Sequence, residues 1–431
     1  MLDIKLFREN PELIRDSQRR RFKDPDLVDK VIEWDDAWRN ILAETDKMRA
    51  RRNQISKEVG ARKKKGEDAS DLVDEAKEIN TKILDNEKAE ADALKQRDEY
   101  RYKVGNILHE SVPVAETEEG NVEVFKSGTI PEFSFEPRNH VDLIETIDGA
   151  NIQKATEIAG ARFYYLKNDL TLLNIALIHF GIDTLVSKGF QPMWTPFFIN
   201  YDAIKAAAEL ADFEDQLYEI KGEDPRLFLI ATSEQTLAAL HKDDVLDPDL
   251  LPLRYCGIST CFRREAGAHG KDTLGIFRVH EFEKIEQFVY SLPDDSWKLH
   301  EEMIGNSEEI FQKLGIPFHV VNIASGEMND NAAKKYDLEG WFPGSDKYRE
   351  LVSCSNCTDY QARKLNIRFG KRGGDLETIH TLNSTAIATE RTICCILENY
   401  QNEDGTVNVP EVLQPYMGGR TIMKPWYLKT E

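Results

Sequence analysis

The feature that most constrains the fold is a long helical pattern near the start of the chain. Between Leu27 and Gly60 the seam positions recur three and four residues apart with no proline: Val31, Trp34, Trp38, Ile41, Thr45, Met48, Arg52, Ile55 and Val59. This spacing predicts one long amphipathic helix. After a polar break containing Gly66, a second helix is predicted from about Asp71 to His109, with Val104 and Leu108 as its last seam positions; the full set is Leu72, Ala76, Ile79, Ile83, Leu94, Val104 and Leu108. Two adjacent helices joined by a short turn bury their apolar faces most simply against each other, so we expect an antiparallel helical hairpin.

Charge is distributed unevenly along the chain. The whole protein has a formal net charge of −21, which argues against indiscriminate coating of nucleic acid. The segment from Lys47 to Lys65, however, carries nine basic residues against the single acid Glu58, a local charge of +8. A solvated face and a dimerisation helix are the alternative interpretations. The basic cluster at the predicted turn favours phosphate binding, and the predicted RNA-contacting residues are Arg49, Arg51, Arg52, Lys57, Arg62, Lys63, Lys64 and Lys65.

The 431 residues exceed one ordinary domain. We predict a hairpin domain at 1–110, a linker at 111–138 and a second domain at 139–431. The linker segment is rich in Pro, Gly, Glu and Val without a helical period, which is typical of a linker or short strands.

The second domain is predicted to be α+β with an antiparallel sheet, because its strand-like runs cluster as neighbours. Those runs are 228–231, 276–279, 284–290 and 317–323, with an extended segment at 191–200. Helices are predicted at 169–188, 297–314 and 389–400.

No membrane span or export signal is expected. The least polar stretch, Leu170 to Val186, is interrupted by Asn174, His179 and Asp183. Six cysteines in a chain of this length indicate no disulfide framework and fit a reducing cytosolic compartment. The Cys354-x-x-Cys357 pair lacks a second ligand pair, so we interpret it as structural rather than zinc-binding.

Two arginines carry the first chemical signal. No phosphate loop, Rossmann glycine motif or His-Glu-x-x-His is present. Arg263 and Arg278 are predicted in extended segments on either side of a glycine-bearing loop, where their guanidinium groups could bind a carboxylate or a phosphate. Surface ion pairs with nearby glutamates are the alternative.

Five motifs in order turn this signal into a family resemblance. They are Thr232-Ser-Glu234, Arg263-Arg-Glu-Ala-Gly, Arg278-Val-His-Glu-Phe282, Ser355-Asn-Cys-Thr-Asp-Tyr-Gln-Ala-Arg363 and Leu382-Asn-Ser-Thr-Ala-Ile-Ala388. Together with Pro196 and Ala386-Ile-Ala-Thr-Glu-Arg391, they resemble motifs 1, 2 and 3 of class II aminoacyl-tRNA synthetases, and most closely the seryl enzymes. The resemblance covers essentially the whole chain, and it implies a catalytic domain built on an antiparallel sheet flanked by helices.

The resemblance implies ATP-dependent ligation of L-serine to tRNA. Arg263 would bridge the serine carboxylate and the α-phosphate, and Arg391 would hold the γ-phosphate. Glu350 and Ser353 would bind Mg²⁺. The full ATP-binding set implied is Arg263, Arg264, Glu265, Arg278, Val279, Phe282, Glu350, Leu351, Val352, Ser353 and Arg391. The serine-binding set implied is Thr232, Ser233, Glu234, Arg263, Glu286, Asn383 and Thr385.

The same resemblance implies the partners. They are the serine tRNA, recognised through its long variable arm by the hairpin, the selenocysteine tRNA where one exists, and a second copy of the chain in a cytoplasmic homodimer. A synthetase-like binding protein and an enzyme that charges a carrier protein are the alternatives. The retained Arg263, Glu286, Glu350 and Arg391 argue against the first alternative, and the hairpin argues against the second.

Overall fold

The backbone divides into two compact units, Met1–Ile107 and Leu108–Glu431. The structure is a computed structural model that describes residues 1–207, 214–265, 274–371 and 373–426. Ala266 and Gly267 of the second motif lie outside these ranges.

The first unit consists of four helices: α1 (Ile4–Glu9), α2 (Pro11–Arg20), α3 (Leu27–Lys65) and α4 (Ser70–Arg101). The predicted hairpin is confirmed, since α3 and α4 pack along each other. At 1.5 Å per residue, the 39 residues of α3 span roughly 58 Å. Helix α3 ends at Gly66, whose φ of 72° is the left-handed conformation that glycine adopts without a Cβ clash.

Helix α4 ends earlier than its sequence pattern predicts. It stops at Arg101, so the predicted positions Val104 and Leu108 lie outside the helix and that part of the prediction is wrong. The chain turns away because the backbone N–H of Gly105 donates to the buried Gln18 Oε1 at 3.1 Å instead of to an α4 carbonyl.

The second unit is built on an eight-stranded sheet. Its strands are β1 (Val122–Ser127), β2 (Gln191–Trp194), β3 (Leu253–Phe262), β4 (Glu281–Ser291), β5 (Phe318–Asn322), β6 (Lys334–Phe342), β7 (Lys347–Asn356) and β8 (His380–Ala388). Their order is β1-β5-β6-β7-β8-β4-β3-β2, and every pair is antiparallel except the parallel pair β2 and β3. The predicted α+β class with an antiparallel sheet is confirmed. Edge strand β1 comes from the segment predicted to be a linker or short strands.

The described residues of this unit form eight α-helices: α5 (His140–Thr146), α6 (Ile152–Ala159), α7 (Asp169–Ser187), α8 (Tyr201–Ala207), α9 (Ser233–Ala239), α10 (Ser296–Lys313), α11 (Tyr360–Lys364) and α12 (Thr389–Asn399). Short strands form four smaller sheets: Ala150–Asn151 with Tyr165–Leu166; Phe198–Asn200, Leu227–Leu229 and Glu219–Ile220; Val245–Leu246, Arg368–Phe369 and Glu377–Thr378; Val407–Asn408 with Ile422–Met423. Ile276–Val279, predicted to be a strand, forms turns and bends instead.

Strand β4 shows how the sequence assigns the two faces of the sheet. Successive side chains point to opposite faces. Ile285 and Val289 enter the apolar core that also contains residues of α7, α10 and α12. Lys284 and Glu286 face the other way and line a pocket. The charged alternation along β4 therefore positions the polar site opposite the apolar core.

Helix α7 has the length and mean hydropathy, 1.6 over 18 residues, of a membrane-crossing helix; among the described residues it is the one helix that meets both criteria. Nine of its residues are buried in the unit, including Leu173, Leu177 and Phe180. Its Gly181 lies so close to the sheet that an added Cβ would be 3.1 Å from Ile387 and 3.3 Å from Ile285. Packing against the sheet thus accounts for its apolar composition.

Candidate active site

A cleft of about 270 Å³ lies on the sheet face opposite the apolar core. Fourteen of the seventeen residues predicted to bind ATP or serine line it: Thr232, Glu234, Arg263, Glu265, Arg278, Val279, Phe282, Glu286, Glu350, Leu351, Ser353, Asn383, Thr385 and Arg391. The three that do not line it are Ser233, Arg264 and Val352. Ser233 and Val352 are buried, and Arg264 is exposed outside the cleft.

Arg263 follows directly after β3, at the point where the strand ends. Its backbone N–H donates to the His280 carbonyl at 2.9 Å, and His280 Nδ1 lies 2.8 Å from the Arg263 carbonyl. The guanidinium donates to the Ala231 carbonyl at 3.2 Å and lies 5.2 Å above the centre of the Phe282 ring. His280 therefore has a structural role, because it fixes the backbone that aims Arg263.

Glu265 and Arg278 form a second contact at this end of the cleft. Arg278 lies in a bend rather than in the predicted strand, and its Nε is 3.4 Å from Glu265 Oε2. Glu265 has a φ of 47°, in the left-handed region that non-glycine residues seldom adopt. Arg162 donates to the Glu265 carbonyl at 2.9 Å and supports this conformation.

The other end of the cleft concentrates cations around one carboxylate. Arg391, in the first turn of α12, lies 3.1 Å from Glu350 Oε2 and 5.1 Å from the centre of the Phe277 ring. Burial alone would raise the pKa of Glu350, but attraction by Arg391 and Lys335 outweighs it and holds the pKa well below its usual range. The low pKa keeps Glu350 ionised, and because 44% of its side chain is exposed, the carboxylate is accessible from the cleft.

A small acidic subsite lies at the start of α9. Thr232 caps the helix, with its Oγ1 accepting from the Glu234 N–H at 3.1 Å. Glu234 Oε1 accepts from Gln361 Nε2 at 2.9 Å and from Asn383 Nδ2 at 3.2 Å. Burial, with repulsion from Glu286 second, raises the pKa of Glu234 to about 7.

Glu286 completes the subsite from the sheet. It is paired with Lys284 at 2.7 Å and accepts a hydrogen bond from Thr385 Oγ1 at 3.4 Å. It stands opposite Gly257 of β3, where an added Cβ would come within 2.7 Å of both Leu237 and Ser233 of α9. The missing side chain at this position lets α9 approach the sheet, so that Glu234 and Glu286 can face one subsite.

Several lining residues were not predicted from the sequence: Gln235, Phe277, Lys284, Asn329, Asn331, Lys335, Ser355, Ala388 and Glu390. Lys284 could have been found, because it stands two residues before Glu286 and must share its face of the strand. Ser355 lies in a quoted motif. Glu390 also lies in a motif, Ala386-Ile-Ala-Thr-Glu-Arg391, at the start of α12. Lys335 carries no motif signal of its own, since the sheet register brings it to the cleft.

Seven of the eight predicted RNA-contacting residues fall into two groups, and the eighth, Arg52, is half-buried on α3. Three are held by acids of the hairpin itself: Arg49 by Glu87 at 3.0 Å, Arg51 by Glu75 at 2.8 Å, and Arg62 by Asp71 at 2.9 Å. Lys57 and the three lysines at 63–65 are exposed at the end of α3. The hairpin thus presents a cluster of solvated ammonium groups at its tip.

The cleft combines an end rich in guanidinium groups with a small subsite of carboxylates and amides. The first suits a phosphate chain, and the second suits an ammonium and a short polar side chain. Fixed charges of this kind stabilise charge that develops during a reaction without needing a general base.

Comparison with known proteins agrees with this reading of the site. The profile of the seryl-tRNA synthetase N-terminal domain matches residues 1–108, and that of the tRNA synthetase class II core domain (G, H, P, S and T) matches residues 218–400. A serine–tRNA ligase of Methanosphaera stadtmanae is 55% identical over 425 residues, covering 98% of this chain and 100% of the relative.

Two solved structures share the whole fold. Seryl-tRNA synthetase from Pyrococcus horikoshii, complexed with ATP, has a TM-score of 0.94 at 45% identity over 99% of this chain and 100% of that one. Cytoplasmic serine–tRNA ligase from Naegleria fowleri, in complex with AMP, has a TM-score of 0.90 at 45% identity, with 99% of each chain covered. The predicted family is confirmed: the chain belongs to the seryl-tRNA synthetases of the class II aminoacyl-tRNA synthetase family.

Proposed function

We propose that this serine–tRNA ligase activates L-serine with ATP to seryl-adenylate in the cleft, and then transfers the seryl group to the 3′ end of the serine tRNA. The observation that carries the proposal is that the cationic end and the Glu234–Glu286 subsite share one cleft. The ATP and AMP complexes of the two structural relatives support a nucleotide in the same fold.

In the activation step, a serine carboxylate oxygen attacks the α-phosphorus. The bond from that phosphorus to the bridging oxygen breaks, and pyrophosphate leaves with the electron pair. Arg263 binds both the carboxylate and the α-phosphate, which orients the attack and offsets the charge that builds on phosphorus. Arg391 binds the γ-phosphate. No side chain has to accept a proton in this step.

The nucleoside is bound at the Phe282 end of the cleft. Phe282 stacks on the adenine ring, Glu265 accepts from the adenine amino group, and the Val279 backbone lies beside the base. The ring of Phe282 is half-buried under Arg263, which supports a flat stacking surface next to the α-phosphate position.

Glu350 and Ser353 would hold Mg²⁺ at the phosphate chain. A carboxylate with a depressed pKa and a neighbouring hydroxyl are hard oxygen donors of the kind that Mg²⁺ prefers. When bound, the ion would supply charge neutralisation to the phosphates. Glu350 contributes an oxygen that Arg391 already orients.

Serine is selected by the small subsite. Glu234, Glu286 and Thr232 bind the ammonium group, while Asn383 and Thr385 lie at the hydroxyl end. Alanine would leave buried hydrogen-bonding groups unpaired, at a cost of about 1–3 kcal/mol for each group. Threonine is excluded by the size of the subsite.

The hairpin domain, 1–110, binds tRNA, and the domain at 139–431 carries the chemistry. Duplex RNA is recognised through shape and phosphates, which suits the lysine-rich tip and a long variable arm. We extend the proposal to the selenocysteine tRNA, to a homodimer in which one subunit's hairpin serves the other subunit's site, and to a cytoplasmic location.

ATP–pyrophosphate exchange measured across the twenty amino acids, followed by charging of total tRNA, tests this function. We expect exchange with serine and charging of serine-accepting tRNA. Exchange that is strongest with another amino acid, or an absence of exchange, contradicts the proposal.

A further inference from the structure

Lys335 is a basic residue of the cleft that lies outside both the serine subsite and the adenine end. Among the described residues, five basic side chains line the cleft: Arg263, Arg278, Lys284, Lys335 and Arg391. Lys284 is committed to Glu286 in the serine subsite, at 2.7 Å. Arg278 is held by Glu265 at the adenine end. Lys335 belongs to neither group.

The sheet register determines where Lys335 lies. In β6, Lys335 pairs with Ser355 of β7, and Asp337 pairs with Ser353. Residues two apart on a strand share a face. Lys335, Ser353 and Ser355 accordingly all line the cleft, next to Glu350 and on the far side of β7 from Arg263. Lys335 is therefore on the phosphate side of the site.

Asp337 holds the ammonium group in this position. Its Oδ2 lies 3.2 Å from Lys335 Nζ, and both side chains are nearly buried, with 9% and 13% exposed. Burial alone would lower the pKa of Lys335, but attraction by Asp337 and Glu350 holds it above its ordinary value. A charged ammonium group is thus fixed beside the cleft. It has three N–H donors, and the Asp337 carboxylate does not use all of them.

The charges around Glu350 point to the same end of the substrate. Arg391 lies 3.1 Å from Glu350 Oε2, and Lys335 and Arg263 line the same cleft as this carboxylate. Arg391 and Arg263 are assigned to the γ- and α-phosphates. Lys335, as a third cation near the same carboxylate, is suited to bind oxygens of the β-phosphate and further oxygens of the γ-phosphate.

We propose that Lys335 binds the β- and γ-phosphate oxygens of ATP and the pyrophosphate that leaves, with Asp337 as its positioning residue. The proposal rests on the function proposed above. During activation the electron pair of the broken P–O bond goes to pyrophosphate, and Lys335 stays protonated throughout. Its contribution is to bind the leaving group as charge accumulates on it.

The test compares ligands that contain the β- and γ-phosphates with one that lacks them. Lys335→Gln in the full chain removes the charge and keeps a donor toward Asp337, and Lys335→Met removes both. Binding of ATP and AMP is measured by calorimetry at one magnesium concentration, and binding of inorganic pyrophosphate by competition with ATP. Lys334→Met is the matched control, because Lys334 points to the opposite face and contacts Tyr336.

We expect the Lys335→Gln and Lys335→Met variants to bind ATP and pyrophosphate about 10- to 100-fold more weakly and AMP within about threefold of the wild type. Lys335→Arg is expected to recover most of the loss. Unchanged pyrophosphate binding, or equal losses for AMP and ATP, overturns the proposal. These binding measurements need no turnover, so they test the role of Lys335 independently of catalysis. The proposed function is refuted separately, by a wild-type protein that shows no serine-dependent exchange.

Discussion

Glu234 of α9 accepts a hydrogen bond of 3.2 Å from Asn383 of β8, so the two halves of the serine subsite are joined across 149 positions of sequence. Glu234 also accepts from Gln361, whose Oε1 in turn accepts from Thr381 Oγ1 at 2.7 Å. The carboxylate is therefore oriented by side-chain donors from β8 and α11 before any ligand arrives.

This environment makes serine binding dependent on pH. The pKa of Glu234 is raised to about 7, so the carboxyl is mostly protonated at pH 6 and mostly ionised at pH 8. Binding of the serine ammonium requires the ionised form. We expect the KM for serine, measured by exchange at saturating ATP, to fall by about five- to tenfold from pH 6 to pH 8. Glu234→Gln should bind serine weakly at every pH; a KM that is independent of pH in the wild type would contradict this account.

Gly257 sets the distance between α9 and the sheet. A Cβ at this position would lie 2.7 Å from both Leu237 Cδ1 and Ser233 Oγ, so Gly257→Ala must displace these side chains or α9 itself. We expect a loss of about 1–3 kcal/mol in the free energy of unfolding and a higher KM for serine, with little change for ATP. Gly305→Ala is the control, because no atom lies within 4 Å of its added Cβ. Equal effects of the two substitutions would show that the close approach does not matter.

Glu390 is a buried carboxyl of the cleft wall that contacts a tyrosine hydroxyl. Tyr164 Oη lies 2.6 Å from Glu390 Oε1 and 2.9 Å from the Glu281 carbonyl. The Tyr164 hydroxyl is the donor to both oxygens, and Glu283 is a second carboxyl that acts on Glu390. Burial, with Glu283 second, raises the pKa of Glu390 well above its usual value.

A raised carboxyl pKa has a defined effect on stability. The folded state then binds more protons than the unfolded state, so this residue's contribution is fully present below the unfolded pKa and is lost as pH rises through the folded pKa. Glu390→Gln keeps the shape without the ionisation. We expect its melting temperature relative to wild type to increase from pH 5 to pH 9; a constant difference across that range would show that Glu390 does not titrate there.

The hairpin lysines and arginines should separate in their effects on tRNA. The exposed lysines at 63–65 contact phosphates in our account, whereas Arg51 is held by Glu75. Replacing the three lysines by alanine should weaken serine-tRNA binding and lower the slope of log K against log salt by roughly 2–3. Arg51→Ala should have a smaller effect on the slope. Serine-dependent exchange should be unchanged in both, and loss of exchange in the lysine variant would contradict the division between the two domains.

Sequence periodicity and motifs predicted the helices and strands that bury a regular stripe of apolar side chains. The pattern of α3 predicted its start at Leu27, and the strand-like run 284–290 lies within β4, as predicted. The end of α4 was missed, because Gly105 is held by a side chain of α2, which periodicity does not reveal. Arg278 was predicted to be extended, but the segment 276–279 bends instead.

Within the site, the residues found from the sequence are those that belong to motifs. Lys335 lies outside every motif and reaches the cleft through the pairing of β6 with β7. Arg264 shows the opposite case, a motif residue that does not line the cleft. Its neighbours Arg263 and Glu265 line the cleft, but its own side chain is exposed outside it. A motif identifies a segment of the site. Which side chains of that segment line the cleft depends on where the strand ends.

Comparing Arg263 with its neighbour Arg264 most directly tests whether serine is activated by ATP in this cleft through Arg263. Formation of seryl-adenylate is measured in a single turnover, with protein in excess over ATP and with pyrophosphatase present, for wild type, Arg263→Ala and Arg264→Ala. We expect rapid formation in the wild type, a rate close to it in Arg264→Ala, and a loss of about 100- to 1,000-fold in Arg263→Ala. Adenylate formation at a near-normal rate in a folded Arg263→Ala protein would contradict the account.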